Sequence, residues 1–469
     1  MISRRVQGDE NAITRLGLKL SAFSERYFPD ALVFALLGIV VVFGGGLLLG
    51  ETPSNLAVQG GKAFWGLVPF TMQMVMIVVG GYVVASAPLV YRLIVRLSRL
   101  PKTPRAAIVT IALLSMLTSL LSWGFSLIFS GFLTRELAHR VRGMDYRAAG
   151  AAAYLGLGAT WALGLSSSAA LMMATPGSIP AALKQVSGVI PLTQTVFLWQ
   201  SLATAGILIA VSVLIAWLSA PRAENAKTAD QFGIQYQELE MRLPPPARPA
   251  DWLEYSPLLN VAIALLLGWY LIDVFRHSPQ GALAALDLNN YNLIFITLGL
   301  LLQYRPRRFL KAVGEAIPAT GGVLIQFPFY AVIFGMISGT GISHWLADLF
   351  ARITTPGDYP VLVAAYSALL GVFVPSGGSK WVVEAPYVLE AAKLQQVHLG
   401  WVVQIYNAAE ALPNLINPFF MLPLTGLLQV KPQDLVGYGT LQLIVHVPLV
   451  IFLCWLFART LPYLVFAGQ

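Results

Sequence analysis

Apolar residues run along the chain in blocks near 30–50, 64–90, 106–134, 148–175, 192–218, 256–275, 291–303, 319–343, 359–374, 381–392, 399–428 and 435–457. A helix that crosses a bilayer needs about 20 apolar residues. Several blocks reach that length; others are short or interrupted. The interruptions predict helices that stop part-way through an apolar layer. The sharpest is Val374-Pro375-Ser376-Gly377-Gly378-Ser379-Lys380-Trp381. Pro375 lacks an N–H and the two glycines resist helix. In hydrocarbon, broken backbone survives only where protein or a water-filled cavity surrounds it. N–H groups freed at such a break suit an anion, and nearby carbonyls suit a cation.

The polar positions between blocks set the topology. Lysines and arginines collect on the cytoplasmic side of membrane proteins. They cluster in 1–28, 91–105 and 135–147, and again at Arg305, Arg307, Arg308 and Lys311. The block at 106–134 is therefore flanked on both sides by inside-type charge. A re-entrant hairpin with its tip at Ser122-Trp123-Gly124-Phe125 leaves both clusters inside, whereas a single crossing does not. Residues 359–394, around the Pro-Ser-Gly-Gly break, read as a second hairpin entering from the other side. The long polar stretch 219–255, with Pro244-Pro245-Pro246, reads as a cytoplasmic connector. The organisation expected is a cytoplasmic amphipathic N-terminus (1–28), a first half (29–218), the connector, and a second half (256–469). The N-terminus is then cytoplasmic and the C-terminus periplasmic.

The halves resemble each other. Phe70-Thr71-Met72-Gln73-Met74 resembles Leu324-Ile325-Gln326-Phe327, and the offset of 253 residues from Gln73 to Gln326 carries Trp123 onto Ser376. After each hairpin comes an apolar segment with a polar interruption. In the first half it is Ser166-Ser167-Ser168, followed by Thr175-Pro176-Gly177. In the second it is Asn414, Asn417 and Pro418. One half starts inside and the other outside, the signature of inverted-repeat secondary transporters with a midplane site. The fold class expected is all-α and polytopic: two inverted repeats, each with a re-entrant helical hairpin and a broken helix.

Composition agrees. The chain is 57% hydrophobic and 11% charged, where soluble domains carry about 25% charge; mean hydropathy is +0.70. The net charge of +8 follows the inside loops and does not call for nucleic acid. Cys454 is the single cysteine, which excludes an internal disulfide and a cysteine zinc site. Residues 1–28 are polar and basic, unlike a cleavable signal peptide. No P-loop, His-Glu-x-x-His or Gly-x-Ser-x-Gly motif is present, so ATP drive and enzyme chemistry are set aside. No cofactor or metal is called for.

The chemistry-bearing residues lie at the breaks. Ser122, Trp123 and Gly124 at one tip, with Ser376, Gly377, Gly378 and Ser379 at the other, would offer hydroxyls and backbone N–H groups to a carboxylate. Half-helix N-termini add about half a positive charge each. Ser167 and Ser168, with Asn414 and Asn417, would complete the site. Lys380 either meets a substrate carboxylate or pairs with Glu384, although Lys before Glu is the weaker order for such a pair. Glu384 and Glu410 are the acidic candidates for ion coupling, by H⁺ or Na⁺, or are satisfied structural carboxylates. One cation among Trp123, Phe125, Trp381, Phe419 and Phe420 suits a small monocarboxylate better than a dicarboxylate. A carrier of the same fold for dicarboxylates and a passive anion channel are the rival readings.

Taken together, Tyr27-Phe28-Pro29-Asp30, Ser122-Trp123-Gly124-Phe125, Ala174-Thr175-Pro176-Gly177, Gln326-Phe327-Pro328-Phe329-Tyr330 and Val374-Pro375-Ser376-Gly377-Gly378 resemble the bacterial short-chain fatty acid transporters associated with acetoacetate and butyrate use. Glu410 and the Pro418-Phe419 region also sit where that pattern places them. The chain departs from it at Lys380, where histidine is usual, and at Glu384, where a neutral residue is usual. The resemblance implies uptake across the bacterial inner membrane. Through the wider ion-transporter superfamily it also implies a homodimer working as an elevator.

Overall fold

The computed structural model describes residues 31–221, 225–236, 243–279, 281–374 and 376–464. The expected N-terminal segment, the Tyr27–Asp30 motif and Pro375 lie outside the described residues. Every regular element within them is helical. The first half holds α1 (Ala31–Leu48), α2 (Pro53–Ala63), α3 (Val68–Ala85), α4 (Pro88–Leu97), α5 (Pro104–Leu121), α6 (Trp123–Arg140), α7 (Tyr146–Leu155), α8 (Ser168–Ala174), α9 (Ala181–Ser187) and α10 (Trp199–Ser219). After the connector come α11 (Asp251–Tyr255), α12 (Leu258–Arg276), α13 (Leu288–Gln303), α14 (Pro306–Ala316), α15 (Gly321–Ser338) and α16 (Ile342–Ile353). The chain then runs through α17 (Tyr359–Phe373), α18 (Gly377–Leu394), α19 (Leu399–Asn414), α20 (Pro418–Leu428) and α21 (Pro432–Ala458). Proline at the first helical position opens α2, α4, α5, α14 and α21, where its missing N–H would be unbonded anyway. Among the described residues, seven segments are long and apolar enough to cross a membrane.

Both interrupted regions form helical hairpins. In the first, Ser126 on α6 donates to the carbonyl of Ser115 on α5 at 2.6 Å. In the second, Ser367 on α17 donates to Glu384 on α18 at 2.6 Å, and Tyr366 and Tyr387 share a hydrogen bond of 2.8 Å. The turn residues match closely. Ser122 has φ −157 and ψ 124, and Ser376 has φ −158 and ψ 106, and each opens the second arm of its hairpin. A broken helix follows each hairpin. After α7 the backbone passes through a π-helical turn (Gly156–Thr160) and a 3-10 turn (Trp161–Leu163), breaks, and resumes as α8. After α19 it breaks over Leu415, Ile416 and Asn417, and resumes as α20. The expected order of hairpin and broken helix thus recurs in each half.

Two apolar cores seat these elements. One gathers residues of α5, α6 and α7 with Met421 and Leu424 of α20 and Leu435 of α21. The other gathers α8, α15, α18 and α19 with parts of α2 and α3. Trp123, beside the first tip, packs against both. The region from Tyr146 to Ala174 is almost wholly buried, and so is every residue of α19. This is what broken backbone demands of its surroundings. In contrast, α12 is largely exposed along an apolar face, as a lipid-facing helix would be.

The connector docks at both of its ends. The backbone N–H of Lys227 donates to Asp145, and Tyr236 donates to Glu136 at the end of α6. At the other end Asp251 accepts the backbone N–H groups of Ala247 and Arg248, which hold its carboxyl down to about 2. Glu254 on α11 then pairs with Arg307 on α14 at 3.0 Å.

Candidate functional site

At the first tip the polar groups are used within the protein. Ser122 caps α6 by accepting from the N–H of Phe125 at 3.3 Å. The N–H of Trp123 donates to Ser166 Oγ at 3.0 Å. Ser166 is the first serine of the break between α7 and α8, so the tip is tied directly to the broken helix. The N–H of Leu165 reinforces the tie by donating to the carbonyl of Leu120 at 2.7 Å. Gly164 permits this closeness, because a Cβ there would run into the Leu120 backbone. Tyr291 of α13 closes the other side, donating to the Leu121 carbonyl. Ser167 caps α8 through the N–H of Ala170. Gly124 packs over the backbone of Ile77 and Val78 on α3.

The second tip is different. Ser376 opens α18 but makes no side-chain cap. Its hydroxyl instead accepts from Ser379. The first turn of α18 therefore begins with backbone donors that no serine covers, at the positive end of an 18-residue helix. Gly377 lies under the Trp161 ring: a Cβ there would sit 2.5 Å from the indole Cη2. Gly378 faces Ser168, Phe70 and Phe327, and the two phenylalanines stack at 5.6 Å. The second tip thus leans on the break of the first half. The indole N–H groups of Trp161 and Trp381 are buried and make no hydrogen bond, and the Asn414 amide is unpartnered at both ends. Leaving such a donor unbonded costs about 1–3 kcal/mol, so these groups have hydrogen-bonding capacity to spare. Asn414 is held in place at the end of α19 by Tyr154, whose hydroxyl donates to its carbonyl at 2.9 Å. Asn417 stands in the following break, its N–H on the Asn414 carbonyl.

Lys380 does not reach out from the tip. Its ammonium, wholly buried, donates to Glu384 Oε1 at 2.9 Å and to the Ser367 carbonyl at 2.8 Å. Glu410 Oε2 of α19 lies 2.7 Å away, close enough for an ion pair though not aligned as a hydrogen bond. The weaker Lys-before-Glu order is overridden because the pair is buried and completed by groups from α17 and α19. Tyr406 links this cluster to the tip. Its ring centroid lies 4.4 Å from Lys380 Nζ, and its hydroxyl donates to the Gly377 carbonyl at 2.6 Å.

The structure thus brings Ser168, Gly377 and Gly378 together at one place, and Lys380, Glu384 and Glu410 at another one turn away. Ser122, Trp123 and Ser167 serve the internal tie. Trp161, Tyr406, Ser367 and Gly164 are not among the candidates that the sequence offers. A Trp inside an apolar block and a Tyr one turn before a glutamate carry no local mark of their partners.

A family model for short chain fatty acid transporters matches residues 12–457. A protein of Escherichia coli strain K12, named as a candidate short-chain fatty acid transporter, is 32% identical over 428 residues, covering 91% of this chain and 96% of that protein. A Haemophilus influenzae protein of the same name is 30% identical, covering 94% of this chain and 98% of its own length. Among solved structures, the Alcanivorax borkumensis YdaH transporter, described as having an unusual topology, shares the fold at a TM-score of 0.61 with 14% identity, over 92% of this chain and 98% of that one. MtrF of Neisseria gonorrhoeae, described within a class of antimetabolite efflux pumps, does so at 0.56 with 15% identity, over 96% and 98%.

Proposed function

The chain belongs to the short-chain fatty acid transporter family, a family of membrane transporters and not of enzymes, and we propose that it takes up small monocarboxylates such as butyrate or acetoacetate by cation-coupled secondary transport. One observation carries the substrate reading. The uncapped N-terminus of α18 faces Trp161, Phe70, Phe327 and Ser168 inside a buried core. A helix end of this kind supplies backbone donors and roughly half a positive charge for one carboxylate. The indole N–H of Trp161 adds a donor, and the phenylalanines give the acyl tail an apolar wall. The ammonium that a second carboxylate would need is Lys380, and it is committed to Glu384 and Glu410. A monocarboxylate therefore fits better than a dicarboxylate.

In this reading the protein lies in the bacterial inner membrane with its N-terminus cytoplasmic and its C-terminus periplasmic, matching the distribution of lysine and arginine. The hairpins re-enter from opposite sides, so the repeats are inverted. The hairpins and broken helices move as one body against a scaffold in a homodimer, by analogy with the wider superfamily.

Uptake of labelled butyrate into proteoliposomes under an imposed H⁺ or Na⁺ gradient tests the assignment. Gradient-driven accumulation that excess butyrate blocks and succinate does not is the expected result. Absence of butyrate uptake under either gradient, with folded protein, overturns it, and competition by succinate moves it to dicarboxylates. Trp161→Phe keeps the ring but removes the N–H. A hydrogen bond to a charged group is worth about 1.5–3 kcal/mol, so KM for butyrate should rise roughly tenfold or more, with a smaller change in kcat. An unchanged KM would place the carboxylate elsewhere.

A further inference from the structure

The cluster of Lys380, Glu384 and Glu410 is not balanced. One ammonium faces two carboxylates, and all three side chains are buried to within 1% of full burial. With both glutamates ionised the cluster carries a net charge of −1, and an uncompensated buried charge is costly. The two carboxylates are not equivalent. Glu384 is satisfied by Lys380 on one oxygen and by Ser367 on the other. Glu410 has Lys380 beside Oε2, while Oε1 has no hydrogen-bond partner. The excess charge therefore resides on Glu410.

Among the described residues, the groups around the cluster supply no further cation. From α17 come Ser367, Tyr359, Tyr366 and Gly371, where a Cβ would already lie 3.0 Å from Glu410 Oε2. From α18 come Lys380, Glu384 and Tyr387, the last paired with Tyr366. On α15 Tyr330 is buried with its hydroxyl unpartnered. On α19 itself Tyr406 has its hydroxyl on Gly377. His446 of α21 bonds to Ser212 of α10.

We propose that Glu410 is the proton-carrying group of transport and that its proton controls carboxylate binding at the α18 tip. This rests on the carrier reading above. A proton fits better than Na⁺, because a metal cation there would sit beside the Lys380 ammonium with few oxygen ligands. Protonation of Oε1 leaves Lys380 and Glu384 as a neutral pair. It removes a negative charge one turn behind the N-terminus of α18, so the tip becomes more attractive to an anion. Tyr406 carries the change to the tip backbone, since its ring borders Lys380 and its hydroxyl holds Gly377. By linkage, a carboxylate that binds better to the protonated form must also draw a proton on.

Butyrate binding to the full-length purified protein, measured calorimetrically from pH 5 to pH 9, tests this. Affinity should tighten by up to about tenfold per pH unit on acidification across the range where Glu410 titrates, the limit for one linked proton. Glu410→Gln should bind at every pH with the affinity the wild type reaches in acid, and should exchange butyrate for butyrate while losing proton-driven accumulation. Wild-type affinity that does not change with pH, or a Glu410→Gln protein that keeps the wild-type pH profile, overturns the proposal. Infrared difference spectra on pH titration separate it from the substrate assignment. A protonated-carboxyl C=O band present in wild type but missing in Glu410→Gln supports proton binding at Glu410 even where butyrate does not bind. No titrating band in wild type overturns it even where butyrate is transported.

Discussion

Lys380→Met is expected to be the most damaging single substitution in the second hairpin. It leaves Glu384 and Glu410 buried together with no cation, and it removes the donor to the Ser367 carbonyl. Breaking a buried ion pair by deleting one partner costs about 3–5 kcal/mol, a large share of the roughly 5–15 kcal/mol that holds a typical domain folded. Thermal unfolding in detergent at neutral pH should show a much lower midpoint, and butyrate transport should disappear. The physical cause can be isolated. Adding Glu384→Gln and Glu410→Gln to Lys380→Met removes the stranded charges and should restore much of the stability without restoring coupled transport. A single mutant as stable as wild type would mean that the cluster is not what joins α17, α18 and α19. A stable single mutant that fails to bind butyrate would return Lys380 to the substrate.

Gly164→Ala is the second. The new Cβ would overlap the Leu120 carbonyl oxygen and Cα, both backbone atoms that cannot swing aside. The Leu165–Leu120 and Trp123–Ser166 hydrogen bonds that tie the first tip to the broken helix would have to lengthen or break. Overpacking of this kind costs about 1–3 kcal/mol or more, and the displaced tip lies beside the site. Loss of most transport, with a clear fall in thermal midpoint, is the expected result. Gly177→Ala, where a Cβ meets nothing within 4 Å, is the matched control and should be near neutral. Equal effects of the two would show that the break tolerates separation of tip and helix.

Much of this arrangement is legible in the order of residues along the chain. The helix breaks fall at the interruptions in the apolar blocks, at Ser122 and Ser376, and at Ser166–Ser168 and Asn414–Asn417. The reason is local: the serine and asparagine side chains at those positions compete for backbone hydrogen bonds, and neighbouring Gly164, Pro375 and Pro418 weaken or interrupt the helical ladder. The roles of the two tips are not legible there. Their serines look alike in sequence, and even their backbone angles agree. Yet Ser122 caps its helix while Ser376 does not, because Ser379 donates to the Ser376 hydroxyl. Lys380 shows the same limit. Its spacing from Glu384 is visible at once, but Glu410 is thirty positions further on and reaches it only because α19 packs against α17 and α18.

The sequence alone therefore determined what depends on neighbours along the chain: an all-helical membrane protein, its hairpins and broken helices, their repetition in two halves, and its family. Tertiary structure alone decided which polar groups remain free for a ligand. It bound Lys380 to two glutamates, left Glu410 with the excess charge, placed Trp161 over Gly377, and tied Trp123 to Ser166. Those outcomes depend on which helices pack together, and in a buried, low-dielectric core an uncompensated charge or a missing hydrogen bond weighs far more than it does in water.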